Sequence, residues 1–243
     1  MSAQSAPASD SRPLALVTGA TGGIGGAIVR DLTRTHHVIA VGRDVDSLAR
    51  LASETGTETQ VVELTDAAAV ERLAARLDRL DVLVHAAAIA DVRSVEQATE
   101  DDWERQLRTN VISPALLTRA TLPLIRRAQG TVIFIGSGSG TRPSAGSAIY
   151  TASKFALRAI ADVLRLDEQE HRVRVVTVAP GPTDTAMQRT MVAEAGGTYD
   201  HEVYIRPESV AREVRHVVDA PADVQITDVA VRPRVEVRRG PGR

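Results

Sequence analysis

The strongest constraint on the fold is an alternation of short, continuously apolar runs with longer segments whose apolar residues recur every three or four positions. The short runs predict strands buried on both faces, because a half-exposed strand would alternate apolar and polar residues. The longer segments predict amphipathic helices. Strands and helices that alternate in this way predict an α/β fold, with a doubly wound, seven-stranded parallel sheet flanked by helices on both faces.

The predicted elements follow from this pattern. Seven apolar runs are predicted as strands: Leu14–Val17, Val38–Val41, Gln60–Leu64, Val82–His85, Thr131–Ile135, Val173–Val178 and Val224–Val231. Seven periodic segments are predicted as helices: Gly25–Arg34, Asp46–Thr55, Ala67–Asp78, Glu100–Arg108, Val111–Arg127, Ala148–Glu170 and Pro207–Val218. Ligands are expected outside the carboxyl ends of the strands.

The length indicates one domain, since 243 residues fit a single hydrophobic core and contain no evident repeat or linker. We expect residues 13–232 to fold as this domain and residues 1–12 and 233–243 to be flexible tails. The first tail is rich in Ser and Ala, and the second ends in an Arg-, Gly- and Pro-rich run. A contact between the arginine-rich tail and an acidic partner is the alternative.

Composition excludes several functional classes. The 43% hydrophobic and 25% charged residues are typical of a globular protein and not of a disordered or membrane-spanning chain. A net charge of −2, with one Trp, three Tyr and two Phe, argues against a nucleic-acid partner. The absence of cysteine excludes disulfides, thiolate metal sites and cysteine nucleophiles. We therefore predict a soluble, cytoplasmic protein with no metal site, in which any redox chemistry belongs to a cofactor.

A glycine-rich turn joins the first predicted strand to the first predicted helix. From Thr18 to Gly25 the chain reads Thr-Gly-Ala-Thr-Gly-Gly-Ile-Gly. Glycines allow a ligand to approach the backbone closely, and a helix start presents N–H groups and a partial positive charge to a phosphate. The strand before the turn and the helix after it favour a dinucleotide pyrophosphate site over a merely flexible turn.

One phenol and one ammonium are placed for acid–base chemistry. Tyr150 and Lys154 are four residues apart and share a helix face. Lys154 is the only lysine among 29 lysine and arginine residues, which indicates a need for an ammonium that a guanidinium does not meet. We expect this cation to lower the pKa of the phenol. An ordinary amphipathic helix face is the alternative.

Together these motifs resemble the short-chain dehydrogenase/reductase family. The segment Thr18-Gly19-x-x-x-Gly23-Ile24-Gly25 is similar to the family's cofactor loop, and Tyr150-Thr-Ala-Ser-Lys154 to its active-site motif. The glycines also fit the spacing of the family's longer, sugar-nucleotide-modifying branch, but 243 residues leave little room for the additional domain of that branch. The resemblance covers about residues 13 to 232. It implies a Rossmann-type domain that transfers hydride between nicotinamide and a carbonyl or alcohol.

The resemblance implies four catalytic residues. Ser137, just after the fifth predicted strand, would orient and polarise the substrate carbonyl, and Tyr150 would protonate its oxygen. Lys154 would hold the nicotinamide ribose, and Asn110 would hold a water that supplies protons. The same loop contains Ser139, so chemistry alone leaves two hydroxyls open, and the family's spacing selects Ser137.

The resemblance also implies a set of cofactor-binding residues. They are Gly19, Thr21, Gly23, Ile24, Gly25, Arg43, Glu63, Leu64, Ala86, Ala87, Tyr150, Lys154, Pro180, Gly181, Thr183 and Thr185. Gly42 and Arg43 follow the second predicted strand, where an acidic residue would hold the ribose of NAD. A guanidinium suits a 2′-phosphate, which predicts NADP(H). The adjacent Asp44 leaves NAD or dual use as the alternative.

Two positions depart from the family pattern. Many relatives have Asn-Asn-Ala-Gly where this chain has His85-Ala-Ala-Ala88, and an aspartate where it has Glu63. These changes affect the adenosine side of the cofactor and not the reacting centre. His85 ends a buried strand, so we expect a packed, hydrogen-bonded residue, with a catalytic role as the alternative.

The segment 183–206 is predicted to be a long loop that acts as a substrate lid. The family resemblance implies a homodimer or homotetramer assembled through the helices on either side of the fifth strand. A non-enzymatic NADP(H)-binding sensor or scaffold, and an enzyme that performs epimerisation or dehydration with a bound cofactor, are the competing functions. The complete Ser, Tyr and Lys set favours an oxidoreductase.

Overall fold

The computed structural model describes residues 12–235 and 237, which contain a seven-stranded parallel sheet. In chain order the strands are β1 (Leu14–Thr18), β2 (His37–Gly42), β3 (Glu58–Val61), β4 (Val82–His85), β5 (Thr131–Ile135), β6 (Arg174–Pro180) and β7 (Asp228–Val231). Their order across the sheet is β3-β2-β1-β4-β5-β6-β7. The predicted fold class is therefore confirmed. The predicted tails lie largely outside the described residues and stay predictions.

Eight α-helices of the described chain connect these strands. They are α1 (Gly23–Leu32), α2 (Val45–Thr55), α3 (Ala67–Ala74), α4 (Glu100–Leu107), α5 (Ser113–Ala128), α6 (Ala148–Asp167), α7 (Ala186–Glu194) and α8 (Pro207–Val218). Side chains of α1, α2 and α8 form one apolar core with the sheet, and side chains of α3, α5 and α6 form another. The two cores explain the continuous apolar runs, since the central strands are buried on both sides. Within the described residues, no helix has the length and apolar character needed to cross a membrane.

The two edge strands differ most from the prediction. β3 begins at Glu58, two residues before the predicted start, and ends at Val61. It pairs only with β2 at the edge of the sheet and is polar, so it lacks the apolar run that marks the central strands. β7, the other edge strand, covers only the last four residues of the predicted Val224–Val231.

The segment 183–206 is not the predicted long loop, because it contains α7 and a short 3₁₀ turn at His201–Val203. Each residue of α7 is exposed or half-buried, so the helix lacks the apolar stripe that sequence analysis recognises. Thr183 forms a β-bridge with Ile205, and the Ile205 N–H donates to the Pro182 carbonyl at 3.0 Å. The two ends of the segment are therefore joined at its base.

A π-helical turn, Arg108–Ile112, connects α4 to α5 where the prediction left a break. The Ser113 N–H donates to the Arg108 carbonyl, five residues back, and the Ser113 hydroxyl donates to the same carbonyl at 2.8 Å. Pro114 follows and has no N–H, so it cannot serve the Asn110 carbonyl as a residue of a continuous α-helix would. Such turns often mark functional sites.

Candidate active site

The carboxyl edge of the sheet brings the four predicted catalytic residues into one region. Ser137 follows β5, Tyr150 and Lys154 lie in the first two turns of α6, and Asn110 lies in the π-helical turn. All four residues lie where the local structure changes. Ser137 lies at a strand end, Tyr150 and Lys154 near a helix start, and Asn110 in an irregular helical turn. The fold therefore places Ser137, Tyr150 and Lys154 together as predicted.

Tyr150 is half-buried, and its phenol lies beside the Ser137 side chain. Burial raises the pKa of the Tyr150 phenol, and the neighbouring Ser137 side chain opposes this shift without reversing it. The expectation that Lys154 lowers the pKa of this phenol is wrong for the present arrangement. The Lys154 ammonium lies 5.8 Å from the centre of the ring instead of contacting the hydroxyl. At neutral pH the phenol is therefore a protonated donor.

Lys154 is almost fully buried, at 3% exposure. Its Nζ donates a hydrogen bond of 3.0 Å to the Ile135 carbonyl at the end of β5. Burial lowers the pKa of the ammonium to about 8, because a cation is poorly solvated in the protein interior. The backbone of Lys154 also packs against the Gly140 turn, which leaves no room for a side chain at Gly140. The ammonium is thus held between α6 and the end of β5.

Asn110 acts as a clamp on the loop after β4. Its Nδ2 donates to the Ile89 carbonyl at 2.8 Å, and its Oδ1 accepts from the Ile89 N–H at 2.9 Å. The same Nδ2 donates to Ser153 Oγ at 3.1 Å, and that hydroxyl donates to the Tyr150 carbonyl at 2.8 Å. The side chain therefore links the loop after β4 to α6, and the structure shows no direct contact through which it would act on Lys154.

The glycine turn is packed backbone against backbone. Gly19 has a φ of +63°, and a Cβ there would lie 2.6 Å from the Ala87 nitrogen. A Cβ at Gly25 would overlap the Gly19 carbonyl oxygen. Gly22, the N-cap of α1, has no side chain to cover the N–H groups of the first turn. Ile24 points into the core between α1 and the sheet and anchors the turn.

Thr18 joins this turn to the loop after β4. Its hydroxyl accepts from the Ala86 N–H at 3.2 Å and from the Ala87 N–H at 3.3 Å, and it donates to the Val84 carbonyl at 3.3 Å. The predicted cofactor residues Ala86 and Ala87 are therefore held beside the glycine turn by hydrogen bonds from their main-chain N–H groups to the Thr18 hydroxyl. Their small side chains suit this close packing.

The end of β2 and the segment after β3 form the second part of the predicted cofactor surface. Arg43 Nη1 contacts Glu63 Oε2 at 3.3 Å, and both side chains are exposed. Hydrogen bonds from Thr65 and Arg43 lower the pKa of Glu63 although partial burial opposes them. Thr21 lies against Gly42, and a Cβ at Gly42 would come within 3.2 Å of the Thr21 methyl group. Leu64 instead packs on the core beneath the sheet.

The segment after β6 closes against the glycine turn. Pro180 ends β6, and the Gly181 N–H donates to the Val231 carbonyl at 2.7 Å. The Thr183 hydroxyl donates to the Gly181 carbonyl at 2.9 Å, and Thr185 caps α7 by accepting from the Gln188 N–H at 3.1 Å.

This closure depends on a glycine in the first turn of α1. A Cβ at Gly23 would lie 2.7 Å from the Thr185 methyl group. The family resemblance assigns Pro180, Gly181, Thr183 and Thr185 to the nicotinamide side of the cofactor, and Thr185 borders the predicted pyrophosphate turn.

His85 is a packed residue, as expected. Its Nε2 shares a 2.8 Å hydrogen bond with the Thr118 hydroxyl, and its ring stacks on Phe134 at 4.8 Å. Burial lowers the pKa of His85 to about 3, so the imidazole is neutral. A neutral, stacked ring inside the sheet makes a poor proton-transfer group.

Sequence analysis missed three polar residues that organise the site. Thr18 and Ser153 make the bonds described above, and Gln106 Oε1 accepts from the Asp91 N–H at 2.7 Å. Gln106 and Asn110 are four residues apart and hold the same loop. Ser153 lies inside the Tyr150–Lys154 motif, and a serine on the buried side of that helix could have indicated a structural hydrogen bond there. Thr18 begins the quoted cofactor-loop motif but was given no role, and Gln106 carried no signal beyond its type.

Comparisons with known proteins agree on one family. The sequence profile of the short chain dehydrogenase family matches residues 13–196. The NADP-dependent 3-hydroxy acid dehydrogenase YdfG of Salmonella typhi is 35% identical over 234 residues, which covers 90% of this chain and 94% of that protein. The closed form of serine dehydrogenase complexed with NADP+ has a TM-score of 0.84 and 33% identity, covering 90% of this chain and 94% of that one.

The solved structure of a metagenomic short-chain oxidoreductase in complex with NADP resembles this chain about as closely as the serine dehydrogenase structure does. Its TM-score is 0.79 and its identity 30%, and the match covers 92% of this chain and 98% of that one. Similarity therefore extends over nearly all of the described fold.

Proposed function

Because this chain belongs to the short-chain dehydrogenase family, we propose that it transfers hydride between NADP(H) and the carbonyl or alcohol group of a small substrate. The observation that carries the proposal is the contact of Ser137 with Tyr150 beside a buried Lys154, at the sheet edge that also bears the glycine turn. Positioned hydroxyls of this kind support general acid catalysis.

The glycine turn fits a dinucleotide. Thr21, Gly22 and Gly23 are exposed at the carboxyl edge, and their backbone lies at the uncapped start of α1. N–H groups at a helix start bind phosphate. At Gly19 and Gly25 a Cβ would overlap neighbouring backbone atoms, so the turn can be this tight only with glycine at both positions. We infer that the tight turn lets a ligand approach the backbone closely.

When bound, the nicotinamide cofactor supplies or accepts the hydride. Ser137 orients the substrate carbonyl through its hydroxyl, and Tyr150 donates its phenolic proton to the carbonyl oxygen during reduction. The phenol is in its acid form at neutral pH, but burial raises its pKa and so makes it a weaker acid than an exposed phenol, and the neighbouring Ser137 side chain opposes this shift. Lys154 would hold the nicotinamide ribose, and its ammonium is cationic below a pKa of about 8.

Asn110 is proposed to support proton supply through its backbone. Its side-chain amide is engaged by Ile89 and Ser153, which leaves the carbonyl as the group able to hold a water. The missing N–H of Pro114 supports this assignment, because that N–H is the donor a continuous helix would use.

Arg43 is proposed to bind the 2′-phosphate that distinguishes NADP from NAD. It is exposed beside Thr21 and Gly42, and a guanidinium binds phosphate through paired hydrogen bonds. The NADP-dependent relatives support this choice. Their names further support a hydroxy acid, or the corresponding oxo acid, as the substrate class. The homo-oligomeric state, the cytoplasmic location and the lid role of residues 183–206 remain predictions.

Tyr150→Phe tests the proposal. Removing only the hydroxyl should lower kcat for carbonyl reduction by roughly 100- to 10,000-fold, the range of a lost general acid. The Kd for NADPH, measured by fluorescence titration, should stay within about twofold, since the rest of the site is intact. Full turnover in Tyr150→Phe would refute the assigned acid.

A further inference from the structure

Arg232 brings a guanidinium to the predicted substrate side of the sheet edge. The residue follows the last residue of β7, and its side chain extends past the end of β6 to the turn after β5. A Cβ at Gly138 would overlap Arg232 Nη1 and lie 3.7 Å from Arg232 Cζ. A Cβ at Gly181 would lie 3.7 Å from the same Nη1. The guanidinium therefore lies against two positions that lack side chains.

These two glycines border the reacting groups. Gly138 directly follows Ser137, whose side chain lies beside the Tyr150 phenol. Gly181 directly follows Pro180, on the side predicted for the nicotinamide. The guanidinium thus lies where the loops after β5 and β6 meet, next to the place proposed for the substrate carbonyl.

The backbone on both sides of Arg232 is fixed. The Val231 carbonyl accepts from the Gly181 N–H at 2.7 Å, and a Cβ at Gly181 would come within 3.0 Å of Pro233 Cδ. The base of the side chain is therefore anchored, while the residue itself stays exposed. An arginine whose backbone is anchored in this way is suited to a ligand, because its planar guanidinium loses little freedom for each hydrogen bond that it makes.

We propose that Arg232 binds the carboxylate of an oxo acid or hydroxy acid substrate and so selects acids over neutral carbonyl compounds. This inference rests on the proposed function. A guanidinium recognises a carboxylate through two parallel hydrogen bonds. In a 3-oxo acid a single carbon separates the carboxylate from the reacting carbonyl, so the group that binds the carboxylate must lie close to Ser137, and Arg232 Nη1 lies against Gly138, the next residue.

The test compares 3-oxo acids with their methyl esters as substrates of the full chain and NADPH. Wild type should have a higher kcat/KM for the acids. Arg232→Leu should lower kcat/KM for the acids by about 10- to 100-fold, the effect of losing a charged hydrogen-bond pair, and leave the esters within about twofold. Arg234→Leu, an exposed arginine two residues away, is the control and should change neither.

Three results would overturn the assignment: an equal loss for acids and esters, unchanged acid turnover, or a raised Kd for NADPH, which would assign Arg232 to the cofactor. A wild-type enzyme that reduces only the esters would also overturn it while leaving the proposed function intact. A wild type that reduces no carbonyl compound with NADPH would instead refute the proposed function.

Gly138→Ala provides an independent arm. The added methyl group should push the flexible end of Arg232 away and lower kcat/KM for the acids selectively. In the Arg232→Leu background the same change should cause no further loss for the acids, because the group that it displaces is gone. Losses that multiply in the double variant would contradict the proposed contact.

Discussion

At the scale of single residues, burial shifts the pKa values of the two proposed reacting groups, raising that of Tyr150 and lowering that of Lys154. Tyr150 and Lys154 could be predicted because their spacing is specific and the lysine has no other copy in the chain. The direction of the Tyr150 pKa shift could not, since it depends on how deeply the phenol is packed and on where the Lys154 ammonium points. Desolvation and charge contacts are properties of the folded chain.

Lys154 should make stability depend on pH. Its folded pKa of about 8 lies below the ordinary value of 10.5, so between these values the unfolded chain binds a proton that the folded chain does not. Raising the pH through this window therefore stabilises the fold. The difference in unfolding free energy between wild type and Lys154→Met should increase by about 3 kcal/mol from pH 7.5 to 10.5. Urea unfolding measures it, and a constant difference would contradict the buried cation.

Arg43 should determine the choice of cofactor. Arg43→Leu should raise the Kd for NADPH by about 10- to 100-fold, since a charged phosphate contact is lost, and leave the Kd for NADH within about threefold. Arg119→Leu is the matched control, because Arg119 also forms an exposed ion pair with a glutamate, at 2.6 Å from Glu71. Isothermal titration of both cofactors decides the point. Equal losses for NADPH and NADH would place Arg43 elsewhere in the site.

At the scale of elements, the strands and helices that the sequence predicted well are those with buried faces. The five central strands were found because two-sided burial imposes continuous apolar runs, whereas edge strand β3 is polar and was displaced by two residues at its start. Helix α7 was missed because it contributes no buried face. The π-helical turn was missed because a single extra residue leaves no periodic trace, although Pro114 four residues after Asn110 was an available hint.

The Asn110 clamp should contribute to stability as well as to turnover. Asn110→Ala removes two hydrogen bonds to Ile89 and one to Ser153, and leaves buried partners unsatisfied. We expect the unfolding free energy to fall by about 2–4 kcal/mol. Ser153→Ala, which removes the hydroxyl partner alone, should cost less than half as much. Chemical denaturation of both variants tests this order, and an Asn110→Ala variant as stable as wild type would refute the clamp.

At the scale of the whole molecule, α6 presents an apolar face that a single copy does not cover. Phe155, Val163 and Leu166 are 42%, 56% and 66% exposed along this helix. Large exposed apolar groups on one face indicate an association surface, and a twofold axis would pair the face with itself. This agrees with the oligomer that the family resemblance implies.

The double variant Val163→Glu/Leu166→Glu should therefore sediment as a smaller species than wild type in analytical ultracentrifugation, because charges on the face disfavour its burial. Val45→Glu changes an apolar residue that is 61% exposed on α2 and should leave the assembly unchanged. Identical sedimentation of the double variant and wild type would exclude this face as the contact.

The paired ends of the 183–206 segment have a consequence for engineering. Because Thr183 and Ile205 are bridged to each other, the chain leaves and re-enters the domain at nearly the same point. A replacement segment that starts after Thr185 and ends before Ile205 would keep this bridge and the two threonines proposed to bind the cofactor. If the segment is the proposed substrate lid, such an exchange should change which substrates are reduced and leave the Kd for NADPH unchanged.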